Sequence, residues 1–65
     1  MNDDKFTKQI RSINYAIKEL NKELRQAIEK NDYEWTADCN SHISNLESAK
    51  DSVEAIRALS QVLAG

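Results

Sequence analysis

Before its last residue, this 65-residue chain contains neither glycine nor proline. Strands joined by tight turns usually need these residues, because glycine and proline supply the backbone angles that reverse a chain. Apolar residues recur instead at alternating steps of three and four, the spacing of one face of an α-helix. The sequence therefore predicts an all-α protein, and its length predicts a single domain over residues 1–65.

The first helix is predicted at about residues 5–30. Asp3 and Asp4 stand before it as candidate N-cap residues, and their charge suits the positive end of a helix dipole. Its apolar residues form one stripe along the helix. They are Phe6, Ile10, Ile13, Ile17, Leu20, Leu24, Ala27 and Ile28.

A second helix is predicted at about residues 33–63, again from helical spacing. Near its C-terminus Leu59, Val62 and Leu63 widen the apolar stripe, which indicates either a second contact surface or a frayed end. The residues of the stripe are Trp35, Cys39, Ile43, Leu46, Ala49, Val53, Ile56, Leu59 and Leu63.

Residues 31–32 are predicted to form the turn between the helices. Asn31 can cap the second helix, with Glu34 completing a capping box three residues later. Asn31 also tolerates the left-handed backbone conformation that ends helices. One unbroken helix is the alternative, because Ile28 and Trp35 stay nearly in phase at about 100° per residue. The capping pattern favours the antiparallel two-helix hairpin.

A two-helix hairpin has no closed core, so we expect it to self-associate, as a dimer or a larger oligomer, into a four-helix bundle. The expected architecture is similar in shape to the plasmid RNA-binding protein Rop, a dimer of helical hairpins, although no motif is shared. The predicted core and oligomer face consists of Phe6, Ile10, Ile13, Ile17, Leu20, Leu24, Ile28, Trp35, Cys39, Ile43, Leu46, Val53, Ile56 and Leu63.

The charges are distributed unevenly along the chain. Residues 5–30 carry seven Lys/Arg and three Asp/Glu, whereas residues 31–65 carry two and six. The acidic face of the second helix, Glu47, Asp51 and Glu54, either docks on a basic partner or is simply solvated. The basic stripe of the first helix either binds nucleic acid, docks on an acidic protein or is also solvated. It consists of Lys8, Arg11, Tyr15, Lys18, Lys22 and Arg25.

Cys39 and His42 form the one pair that suggests chemistry. They lie within one helical turn, but a zinc site needs four ligands and one chain offers two here. A cysteine nucleophile would also need a concave pocket and an oxyanion site, which a helical hairpin does not favour. We therefore expect no enzymatic activity, cofactor or bound metal, and a metal or thiol site at this pair is the least favoured reading.

The remaining features of the sequence concern the cellular location of the protein and its partners. One cysteine forms no internal disulfide, the first ten residues are polar, and no run of about 20 apolar residues is present. We expect a cytoplasmic protein without a membrane span. The leading functional hypothesis is a small self-associating regulatory, adaptor or inhibitor protein that docks on another protein. The alternative is a Rop-like nucleic-acid-binding regulator that uses the basic stripe.

Overall fold

The computed structural model describes residues 4–64, which form two helices joined by a short turn. Helix α1 spans Lys5–Glu29 and helix α2 spans Tyr33–Ala64. The two helices pack side by side as an antiparallel hairpin, so the prediction of an all-α hairpin is confirmed and the unbroken helix is excluded. Each helix ends within one residue of the predicted position. The candidate cap Asp3 lies outside the described residues.

Asp4, one of the two candidate N-cap residues predicted from the sequence, is the N-cap of α1. Its backbone is extended, and its Oδ1 accepts a hydrogen bond of 2.7 Å from the backbone N–H of Thr7. This bond satisfies one of the N–H groups that have no partner inside the helix. The bonds from Thr7, together with the charge of Arg57, lower the pKa of the Asp4 carboxyl below its ordinary value.

Asn31 ends α1 by taking the left-handed conformation, with φ of 56°. The backbone N–H of Asn31 donates to the carbonyl of Ile28 at 3.0 Å, and that of Asp32 donates to the carbonyl of Ala27 at 2.9 Å. These two bonds form a Schellman motif, which satisfies the last carbonyls of the helix. The predicted role of Asn31 in stopping α1 is therefore correct.

Asp32, and not Asn31, caps α2. Its Oδ1 accepts a 3.0 Å hydrogen bond from the backbone N–H of Trp35, which stands at the third position of the helix. Glu34 is then at the second position, where it does not complete a capping box with this cap. The predicted capping box of Asn31 and Glu34 is therefore wrong, because Asn31 is already used in the left-handed turn.

The two helices meet along one seam, defined by the residues with the least exposed side chains. On α1 the seam follows the predicted stripe but ends at Ala27, which is buried, while Ile28 is 56% exposed. On α2 the seam continues at steps of three and four through polar residues. Its members are Cys39, Ile43, Leu46, Lys50, Val53, Arg57 and Ser60.

The hairpin is a single layer of two helices, with Cα extents of 51 × 22 × 9 Å. Among residues 4–64 only Ala27 and Cys39 are fully buried. Domains usually bury their apolar faces between two packed layers. Both broad faces of this layer are exposed to solvent in the single chain. They carry the surfaces described below.

Candidate interaction surfaces

The most exposed apolar surface lies on the C-terminal half of α2. Ile56 is 52% exposed and Leu59 is 59% exposed, and near the end of the helix Val62 and Leu63 reach 74% and 79%. A single exposed leucine is unremarkable, but four large apolar side chains within eight residues form a patch of the kind that marks interaction sites. We call these four residues the α2 apolar patch.

The patch is exposed because, after Leu46, most apolar residues of α2 lie beside the seam and not in it. From that point the seam positions are Lys50, Val53, Arg57 and Ser60, of which only Val53 is apolar. The long side chains of Lys50 and Arg57 can cover apolar surface with their aliphatic parts while their charges remain near water. Ile56 and Leu63, both on the predicted core face, lie beside this seam and are exposed in the single chain.

Helix α2 also extends beyond the end of α1. Arg57 pairs with Asp4, the N-cap of α1, at 3.6 Å between Nε and Oδ2. Residues 58–64 continue the helix past this ion pair. At about 1.5 Å per residue, this overhang is roughly 10 Å long. Leu59, Val62 and Leu63, which lie on this overhang, are mostly exposed.

A shallow groove runs along the flank of α1. Its apolar floor contains the exposed Ile28 together with the half-buried Ile17 and Leu24, which sit at the edge of the seam. Cations line one side of the floor, so the groove combines apolar contact with positive charge. The groove is lined by Asn14, Ile17, Lys18, Asn21, Lys22, Leu24, Arg25 and Ile28.

All six residues of the basic stripe are exposed on the outer side of α1. Tyr15, its aromatic member, is 66% exposed. Nζ of Lys22 lies 3.2 Å from Oε2 of Glu19, so part of its charge is neutralised within the helix. Lys18, Lys22 and Arg25 belong both to the stripe and to the groove.

The acidic face of α2 is also exposed at each of its three residues, Glu47, Asp51 and Glu54. Glu47 and Glu54 are separated by seven residues and therefore lie on one side of the helix. Ile56 and Leu63 of the α2 apolar patch lie on the opposite side, whereas Val62 follows Asp51 by about three helical turns and shares its side. The acidic and apolar surfaces of α2 therefore adjoin near the C-terminal end of the helix.

Cys39 and His42 differ in their exposure. Cys39 is buried in the seam, and this burial, reinforced by the charges of Glu23 and Asp38, raises the pKa of its thiol above the ordinary value. His42 is exposed three residues further along and lies outside the seam. Residues 4–64 bring together no group of three or more His, Cys, Asp or Glu side chains that could hold a metal ion.

Trp35 lies at the turn end of the hairpin and is half-buried. Nζ of Lys30 lies 5.7 Å from the centroid of its ring, within the range of a cation–π contact. This contact joins the end of α1 to the first turn of α2. Trp35 therefore packs beside the turn, as expected, and still presents part of its ring to solvent.

This geometry defines a helical hairpin that consists of a single layer and has an uncovered apolar patch. Within the part of the chain that the structure describes, neither helix has an apolar stretch long enough to cross a bilayer. Comparisons with known protein families, with curated proteins and with solved structures give no match. The functional proposal therefore depends on the surfaces of this chain alone.

Proposed function

We propose that this protein is a small non-enzymatic docking protein, of the regulatory, adaptor or inhibitor kind, that works as a self-associated pair of hairpins. The observation that supports the proposal is the α2 apolar patch, which α1 leaves uncovered. A chain of 65 residues with two buried side chains among residues 4–64 gains little stability from its own core. Covering the patch with a second copy supplies the missing apolar contact.

Sedimentation velocity over a range of micromolar concentrations tests this proposal. The natural chain should sediment as a dimer or larger oligomer, and the double variant Leu59→Ser, Leu63→Ser should shift toward the monomer. Tyr33→Ser is the matched control, because Tyr33 is 82% exposed but lies at the opposite end of α2. A folded natural chain that remains monomeric throughout the range would refute the proposal.

The groove on α1 is the surface that we propose for docking, with an acidic amphipathic helix of another protein as its occupant. Ile17, Leu24 and Ile28 are spaced by seven and four residues, which matches apolar anchors on a helix lying alongside. Lys18, Lys22 and Arg25 complement acidic side chains on such a helix. The groove thus explains why apolar and basic residues occur together on this flank.

A designed helical peptide tests this occupant directly. The peptide carries leucines at i, i+7 and i+11 with glutamates beside them, and a control peptide replaces the glutamates with lysines. Fluorescence titration should show binding of the acidic peptide only, with binding lost in both Ile28→Ser and the triple variant Lys18→Glu, Lys22→Glu, Arg25→Glu. Equal binding of the two peptides would rule out the charge-complementary groove.

Nucleic-acid binding by the basic stripe is the second candidate function. Its supporting observation is that the cations and Tyr15 are all exposed along one side of α1. Such a stripe can follow a phosphate backbone, and an exposed tyrosine can stack on a base. Binding of generic RNA and DNA should then weaken steeply with salt, and it should survive Ile28→Ser. The absence of binding at about 50 mM salt, where phosphate contacts are strong, would exclude this function.

A further inference from the structure

We infer that the second copy docks antiparallel along α2, on a column formed by Trp35, His42, Ala49, Ile56 and Leu63, with Ala49 at the two-fold axis. This inference rests on the self-association proposed above and names the surface that forms it. These five residues recur every seven positions, so they lie in one line along a helix that packs in a supercoil.

The column lies beside the seam and is open to a partner. Trp35 is half-buried at the turn, whereas the other four members are exposed. Ile56 and Leu63 also belong to the α2 apolar patch, and they are the column members farthest from the turn. The seam uses Cys39, Leu46 and Val53, which stand between the column positions. Helix α2 can therefore contact α1 with one line of residues and a second copy with the next.

The column is complementary to itself when the partner helix runs in the opposite direction. With Ala49 opposite Ala49, His42 of each copy meets Ile56 of the other, and Trp35 meets Leu63. The smallest side chain then lies at the centre, where two helices can approach closely, and the largest lie at the ends. A two-fold axis requires this kind of pairing, in which the same surface is used on both copies.

The length of α2 supports the same register. Helix α2 spans residues 33–64, so its midpoint falls between residues 48 and 49. A pair centred on Ala49 overlaps along the whole helix. The overhang at residues 58–64 then lies against residues 34–40 of the other copy, which include Trp35. The part of α2 that α1 leaves uncovered is thus covered by the partner.

The charges of α2 permit this contact even though the helix is acidic overall. The positions that flank the column between residues 41 and 62 carry no charge. They are Ser41, Asn45, Ser48, Ser52, Ala55, Leu59 and Val62. Glu47, Asp51 and Glu54 point elsewhere on the helix, so they add little repulsion across the pair. Pairing α1 with α2 of the other copy would match opposite charges but would leave the overhang uncovered.

Disulfide trapping tests the axis, in a Cys39→Ala background that removes the native thiol. Ala49→Cys should form a disulfide with its own copy under mild oxidation at least about tenfold faster than Asp51→Cys, because only thiols with adjacent Cβ atoms can be joined. Asp51 is a matched control, since it is exposed on α2 but faces another side of the helix. Circular dichroism verifies that both variants keep their helices.

A mixture of two variants tests the direction of the partner helix. His42→Cys and Ile56→Cys should each trap little dimer alone, and the mixture should give the mixed disulfide. Rapid trapping of His42→Cys alone would show a parallel or shifted pair and overturn the inference. If the natural chain self-associates but Ala49→Cys forms no disulfide faster than the control, this interface is wrong while the proposed self-association stands. A monomeric natural chain would instead refute both.

Discussion

Oδ2 of Asp4 lies 3.6 Å from Nε of Arg57, and this ion pair joins the N-terminal end of α1 to the last quarter of α2. The distance is long for a hydrogen bond, and both side chains are partly exposed, so the pair contributes modestly to stability. The pair also marks where the described part of α1 begins along α2. Beyond Arg57, the side chains of Leu59, Val62 and Leu63 are mostly exposed in the single chain.

The titration of Asp4 gives the first prediction. Because the hydrogen bonds from Thr7 lower the pKa of Asp4 in the folded chain, folding favours the ionised carboxylate. The resulting stabilisation is complete above the unfolded pKa, near pH 4, and is lost as the pH falls through the lower, folded pKa. Asp4→Asn keeps a capping side chain but cannot ionise.

Urea unfolding of both chains at a fixed protein concentration measures this effect. The natural chain should be more stable than Asp4→Asn at about pH 6, and the difference should shrink steadily as the pH falls below about 4. A difference that stays constant over this range would mean that the Asp4 charge does not contribute to folding.

The turn gives the second prediction, which separates the roles of its two residues. Asp32→Ala should destabilise the chain by about 0.5–2 kcal/mol, because it removes the cap of α2. Asn31→Gly should be neutral or stabilising, since glycine adopts the left-handed conformation freely, whereas Asn31→Ala should cost about 1 kcal/mol. Chemical unfolding measures the stability of all three variants. If Asn31→Gly is as damaging as Asp32→Ala, the side chain of Asn31 acts as a cap after all.

The sequence predicted the two helices and the hairpin well, because residues from Phe6 to Leu46 keep their apolar spacing and no residue breaks either helix. In the second half of α2 the predicted stripe includes Val53 but not Lys50 and Arg57, which share the seam with it. Their positions continue the steps of three and four from Ile43 and Leu46, and this spacing was the available signal. Hydrophobicity favours Ile56 and Leu63 instead, which lie beside the seam and are exposed.

The assignment of the α2 cap failed for a different physical reason. Asn31 and Asp32 are both competent capping residues, and both stand between the helices. Only the backbone conformation decides between them, since a residue with positive φ ends the preceding helix. In the same way, Ala27 and Ile28 are adjacent apolar residues that follow Leu24 by three and four positions, so spacing alone does not decide that Ala27 is buried and Ile28 is exposed.

The seam gives the third prediction, a comparison of two apolar residues of α1. Leu20 lies in the seam, whereas Ile28 is mostly exposed. Leu20→Ala should cost about 2 kcal/mol or more, since it leaves a gap between the helices. Ile28→Ala should cost less than about 0.5 kcal/mol, as is usual at exposed positions. Urea unfolding at one protein concentration gives both values. Equal losses would place Ile28 in the packed interface of the natural protein.

The Cys39 thiol gives the fourth prediction. Burial, together with the charges of Glu23 and Asp38, raises its pKa, so little thiolate forms at neutral pH. Ellman's reagent should therefore react with the folded chain much more slowly than with the chain in urea. The rate in the folded chain should still be rising at a pH where that of an unburied thiol has levelled off. Equal rates in the folded and unfolded chains would show that α1 does not protect Cys39.

The fifth prediction concerns metal ions. Cys39 faces the seam, where burial raises the pKa of its thiol, while His42 lies outside the seam and is exposed, so we expect no metal ion shared by the two side chains. A structural zinc site contributes directly to folding, and its removal unfolds small domains. Neither added zinc nor a chelator should therefore change the melting temperature of this protein. Cys39→Ala serves as the control, since any shift caused by a site at this pair must vanish in it. A rise in melting temperature with zinc that Cys39→Ala abolishes would demonstrate a metal site that includes Cys39 and would overturn this prediction.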